Sequence, residues 1–140
     1  MKHLQSAKRN VMLAPITAAT TQRTANLDCA GADYATISIV LGAEANTNST
    51  NVAVRLLESD STTATTFATF DSNFNRTLDN TAALVAAYNV DLKGRKRYLR
   101  IELTPDTTTN GAVLSTVIGS LDLEIENSAN SSNADVVVVG

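Results

Sequence analysis

The hydrophobic positions of this chain fall in short alternating runs, separated by stretches rich in Thr, Asn, Ser and Asp. The clearest run is 33–42, D-Y-A-T-I-S-I-V-L-G. Side chains of an extended chain point to opposite faces in turn. Ala35, Ile37, Ile39 and Leu41 therefore share one face, and Tyr34, Thr36 and Ser38 share the other. That pattern predicts a half-buried strand. Residues 52–58 repeat it, with Val52, Val54 and Leu56 inward and Ala53 and Arg55 outward. Residues 98–104 repeat it again, with Leu99, Ile101 and Leu103 inward and Arg100 and Glu102 outward. Pro105 is expected to end that strand, because proline has no N–H for a ladder.

Residues 81–89, T-A-A-L-V-A-A-Y-N, have the alanine content of a helix. Yet Leu84, Ala86, Tyr88, Val90 and Leu92 share one face of an extended chain, and that period favours a strand. Residues 67–70 read as a short strand and 71–81 as a turn. Lys93 and Gly94 begin another turn, and Asn110-Gly111 is a strong turn signal. Residues 111–126 then read as one long strand or a bent pair, with Gly119 at the bend. Val136 to Val139 form an all-Val run after a Ser/Asn linker. Short strands at regular spacing, with no long amphipathic helix, indicate an all-β fold: a β-sandwich, jelly-roll-like single domain. Residues 1–26 lack a clear period and read as an extended N-terminal arm with a strand at 11–17. The sandwich domain is then 27–140, ending in a C-terminal strand tail.

A chain of 140 residues fits one core, since single domains typically run to about 100–200 residues. Aromatic residues are 4% and Trp is absent, so the core is built of small aliphatic side chains and suits flat two-sheet packing. A net charge of −3 argues against a general nucleic-acid binder, which is usually basic. No stretch approaches the roughly 18 apolar residues of a membrane helix. The N-terminus begins basic, but its apolar run at 11–16 is short and broken by Pro15, so no export signal is read there.

Reactive chemistry is sparse. The single histidine, His3, lies in the arm, without the rigid scaffold that a catalytic base needs. Cys29 is the single cysteine, which excludes an intramolecular disulfide and a multi-cysteine metal site; it reads as a small core side chain. Asp71-Ser72-Asn73-Phe74-Asn75 starts like a calcium loop. However, Arg76 stands where the sharp turn needs glycine and Ala82 where the loop needs glutamate, so it reads as an Asx-rich turn. Asp122, Glu124 and Glu126 alternate outward as a solvated face. No cofactor, no metal and no catalytic residue is expected.

The charge cluster is Lys93, Arg95, Lys96 and Arg97 around Gly94. It reads as a basic patch that contacts an acidic partner or, less expected, nucleic acid, or as a solvated turn whose charges block edge pairing. Lys8 and Arg9 in the arm and Val136, Val137, Val138 and Val139 in the tail are further candidate partner contacts. In this reading the arm and the tail reach out of the domain to add to a neighbour's sheet.

Three segments carry a resemblance: A-D-Y-A-T-I-S-I-V-L-G-A-E at 32–44, V-A-V-R-L-L-E-S-D at 52–60 and G-R-K-R-Y-L-R-I-E-L-T-P at 94–105. They resemble small virion proteins of tailed bacteriophages, and among these the capsid decoration, or cement, proteins. The resemblance implies a jelly-roll-like module on the outside of the phage head that bridges major capsid protein subunits. It implies a homo-oligomer, trimer or dimer, located on the virion; composition separately gives no membrane partner and makes nucleic acid an unexpected one. The alternatives are a tail or neck adaptor of a virion and a carbohydrate-binding domain.

Overall fold

The computed structural model of the chain describes residues 8–14, 22–43, 51–79, 81–105, 116–122 and 134–139. Among them run ten strands: β1 (Lys8–Leu13), β2 (Arg23–Asp28), β3 (Tyr34–Leu41), β4 (Asn51–Ser59), β5 (Ala68–Thr69), β6 (Arg76–Asp79), β7 (Leu84–Asp91), β8 (Tyr98–Pro105), β9 (Thr116–Asp122) and β10 (Ala134–Val139). One sheet has the order β1-β9-β3-β7-β10. The other has β2-β8-β4, with β5 and β6 both paired to the far side of β4. Every pairing is antiparallel. The strands from β1 to β4 alternate between the sheets, as do those from β7 to β9. If β5 and β6 count as one interrupted edge strand, the first nine strands trace the two Greek keys of a jelly roll. β10 is an addition outside β7.

The alternation in the sequence is the reason for this packing. Ala35, Ile37, Ile39 and Leu41 of β3 are buried, and the residues between them are half-exposed. Leu84, Ala86, Tyr88 and Val90 of β7 lie opposite them in register and are buried too. From the other sheet, Val52, Val54 and Leu56 of β4 and Leu99, Ile101 and Leu103 of β8 complete the core. Each fully buried Ile, Leu or Val contributes about 1.5–3 kcal/mol relative to exposure. The strand expected in the 81–89 segment is Leu84–Asp91: Leu84, Ala86, Tyr88 and Val90 share its buried face, and tertiary pairing overrides the helical propensity of the alanines.

Three expectations need correction. Residues 71–81 are not simply a turn: Ser72–Phe74 form a 3-10 turn, and Arg76–Asp79 form β6 against Asn51 to Val54. Phe70 and Phe74 tuck into the core there, their rings 5.0 Å apart edge to face, with Phe74 6.4 Å from Tyr88. The strand expected at 11–17 lies at Lys8–Leu13 instead. It is not an arm reaching out of the domain but an edge strand paired to β9, with Met12 and Leu13 packed on the core. Arg23 and Thr24 belong to β2, paired with Leu103 and Glu102. The all-Val tail is likewise part of the sheet, as β10 on β7. In each case backbone groups find partners within the chain's own sheets.

Candidate interaction surface

The charged turn between β7 and β8 closes one end of the sandwich. Gly94 gives it shape: its φ of 71° is a conformation that L side chains rarely adopt. Asp91 Oδ1 accepts from Lys93 N at 2.9 Å, and Leu92 O accepts from Arg95 N at 3.0 Å. Two carboxylates from the β4 end hold the rest: Glu58 Oε2 accepts from Lys96 N and Asp60 Oδ1 from Arg97 N, both at 3.3 Å. Leu92 N donates to Asp33 O, and Cys29 N to Arg97 O, each at 2.9 Å. These bonds tie the turn to the loop between β2 and β3, where Gly31 also has a positive φ of 76°.

The basic side chains of the turn are largely committed. Arg97 donates through Nε and Nη2 to the two oxygens of Asp28, at 2.9 and 2.8 Å. That fork holds the guanidinium even more firmly charged than usual. Arg95 lies 3.8 Å from Glu58, with its guanidinium 3.9 Å from the Phe70 ring centroid. Lys93 Nζ sits 5.8 Å from the Tyr34 ring centroid. Two of the four basic side chains, Arg95 and Arg97, are thus ion-paired, to Glu58 and Asp28, while Asp60 and Asp91 hold the backbone of the turn. Lys96 keeps an exposed side chain.

Sequence reasoning missed a second constellation. Arg100 points outward from the sheet, as the alternation predicts, yet is only 8% exposed. Its Nε donates to Asn26 Oδ1 at 2.8 Å, its Nη1 to Ala64 O at 3.3 Å, and it stacks 3.7 Å from the Phe67 ring centroid. The loop from Asp60 to Phe67 folds over the outer face of the sheet and covers it. Hydroxyls hold that loop in shape: Thr66 Oγ1 donates to Thr63 O at 2.7 Å and lies 2.7 Å from Ser59 Oγ. The signal available in the sequence was Phe67, a large aromatic in a polar loop that needs something to cover. Beside this site, Glu102 meets Arg55 at 3.7 Å and takes a hydrogen bond from Gln22.

The other candidates separate. Lys8 shares a cross-strand row with Leu121, Ala35, Val90 and Ala134, at the same end of the sheet as the charged turn. The side chains of Lys8, Arg9 and Val136 to Val139 lie outside the described residues, as do His3, Glu124 and Glu126 entirely. Cys29 is buried; desolvation raises its thiol to about 11, and its Sγ donates to Leu27 O at 3.7 Å. Asp71 caps the 3-10 turn by accepting from Asn73 N at 2.8 Å, as an Asx turn does. Among the described residues no cluster of three His, Cys, Asp or Glu is placed to hold a metal ion, and no helix is long and apolar enough to cross a membrane.

No family model matches the chain, and no curated protein matches it. Among solved structures, it is similar to a chain in the crystal structure of the plant peptide RALF23 in complex with FER and LLG2, at 10% identity and a TM-score of 0.47. The match covers 94% of this chain and 37% of that one. A likeness of that size carries no argument about function.

Proposed function

We propose that the chain is a non-enzymatic structural module of a virion, a decoration protein that binds the outer surface of a phage head and bridges major capsid protein subunits. The observation that supports this most is the architecture itself. It is a jelly roll with ion pairs and stacked cations at one end and on an outer face, and among the described residues no further strand pairs with the outer edges of either sheet. Strand edges with unpaired backbone suit an adhesive block that engages a lattice of identical sites, where many weak contacts add. The resemblance of segments 32–44, 52–60 and 94–105 to decoration proteins supplies the capsid as the partner. The test is addition of purified protein to expanded phage heads that lack it. Binding at saturable stoichiometry, with raised resistance of the heads to heat, is the expected outcome. Absence of binding with unchanged head stability overturns the reading.

A further inference from the structure

Three arginines on or beside the β2-β8-β4 sheet have a carboxylate. Arg55 lies 3.7 Å from Glu102, Arg95 lies 3.8 Å from Glu58, and Arg97 holds both oxygens of Asp28. Arg23 and Arg76 have none among the described residues, but both are exposed to water. Arg100 is the exception: it is buried and has no carboxylate either. Asn26 and the buried Leu57 stand opposite it on β2 and β4, and the 60–67 loop lies over that row. A cation taken out of water without a counter-charge is unfavourable. A ring face and two neutral oxygens offset that cost only in part. Two of the three guanidinium nitrogens are occupied, Nε by Asn26 Oδ1 and Nη1 by Ala64 O. The third, Nη2, makes no hydrogen bond among the described residues. It is not one of the buried unpartnered atoms there, which are Asn75 Oδ1 and the Tyr88 hydroxyl, so it touches solvent.

We propose that the Nη2 end of the Arg100 guanidinium is a binding site for one carboxylate, the side chain of an aspartate or glutamate on a protein partner. The missing counter-charge calls for an anion, and the free N–H groups of Nη2 are its donors. The guanidinium is already fixed, with its plane 3.7 Å from the Phe67 ring centroid and two nitrogens tied, so little side-chain freedom is lost on binding. Glu102 stands two residues along β8 on the same outer face. A doubly charged phosphate would meet more repulsion from it than a single carboxylate does. So few N–H groups hold a free acid only weakly in water, so the carboxylate is expected on a larger body that supplies further contacts. The site stands independently of the capsid reading, and its test uses no phage heads.

The test follows the arginine side-chain N–H signals of the purified full chain by NMR during titration with acetate. Acetamide serves as the uncharged control, and chloride keeps the ionic strength equal. The Arg100 signal, identified by its loss in Arg100→Lys, is expected to move saturably with acetate. It should do so at lower concentration than the signals of the exposed Arg23 and Arg76, and should not respond to acetamide. The blocked peptide acetyl-Gly-Asp-Gly-amide should shift the same signal, and its Asn counterpart should not. Asn26→Asp provides a second route. No hydrogen bond from the Asn26 amide nitrogen is seen among the described residues, so the change gives up no bond and sets a carboxylate on Nε. That variant is expected to unfold at a higher temperature than the wild type and to lose the acetate response. An Arg100 signal that moves no more than those of Arg23 and Arg76 overturns the proposal. So does a full acetate response retained by Asn26→Asp. A response to acetate with none to the Asp peptide overturns the assignment to a protein side chain.

Discussion

The guanidinium of Arg100 lies 3.7 Å from the centroid of the Phe67 ring, and this contact pins the loop between β4 and β5 onto the outer face of its sheet. No carboxylate lies within ion-pair distance of Arg100 among the described residues; its hydrogen bonds go to the neutral oxygens of Asn26 and Ala64. The ring therefore supplies much of the compensation for a cation that is 8% exposed. Arg100→Ala is expected to destabilise the fold by about 2–3 kcal/mol, through lost stacking and orphaned acceptors. Phe67→Ala should lower stability by about 1–2 kcal/mol. The double variant should fall short of the sum by about 1 kcal/mol, because both single changes break the same contact. Urea denaturation of the four proteins measures this; strict additivity would show that the stacking is incidental. Limited proteolysis should meanwhile cut both single variants inside 60–67 faster than the wild type.

Tyr88 presents the opposite case, a buried polar group without a partner among the described residues. The residue is fully buried and its hydroxyl makes no hydrogen bond among the described residues. Burial pushes the phenol up to about 12 from 10.0, and the Cys29 thiol up to about 11 from 9.0. Both groups are neutral when protonated, and the folded state holds the proton more tightly than the unfolded one. Stability is therefore fully present below pH 9.0, falls as the unfolded chain releases its protons first, and flattens above about 12. Tyr88→Phe is expected to be neutral or stabilising by up to about 1 kcal/mol at neutral pH, since it removes an unsatisfied hydroxyl. It should also remove the part of the alkaline loss between pH 10.0 and about 12, while the Cys29 part persists. Thermal unfolding across that pH range checks both points. A clear destabilisation at neutral pH would mean that the hydroxyl has a partner, such as a buried water.

How much of this was legible in the sequence depends on the range of the interaction. The inward rows of β3, β4, β7 and β8 were legible because alternation is local: Ile37 and Ile39 announce their face within a few residues. β6 was not, because Leu78 is its only apolar residue and what makes it a strand is its pairing with β4. The direction of Arg100 was read correctly and its burial was missed, since a strand pattern says nothing about a loop folding over the outer face. The turn at Lys93 to Arg97 looked like a basic patch because its counter-charges, Asp28, Glu58 and Asp60, are remote in sequence and meet it only through the fold.

Within that turn, Gly94 gives a clean test of backbone strain. Its φ is 71°, and a Cβ built there would meet nothing within 4 Å. Any loss on substitution is therefore conformational and not steric. Gly94→Ala is expected to destabilise by about 1 kcal/mol, and Gly94→Asn by less, because Asn tolerates the left-handed region better. Chemical denaturation compares the two. Equal effects would place the cost in something other than φ.

Removal of residues 1–24 separates the two readings of the N-terminal segment. If it were only an arm, the truncated chain would keep its stability. In the structure β1 covers one side of β9, Met12 and Leu13 pack on the core, and Arg23 and Thr24 pair with β8. Truncation therefore strips apolar contacts and uncovers the edge of β9, which becomes a template for intermolecular pairing. A markedly lowered unfolding temperature and concentration-dependent aggregation are expected, whereas removal of residues 1–7, which precede β1, should leave the unfolding temperature within a few degrees of the full chain's. Differential scanning calorimetry with light scattering measures both effects. If the shorter and longer truncations unfold at the same temperature, β1 contributes nothing to the sandwich. Any loss of capsid binding in the longer truncation could then be assigned to an arm and not to a damaged fold.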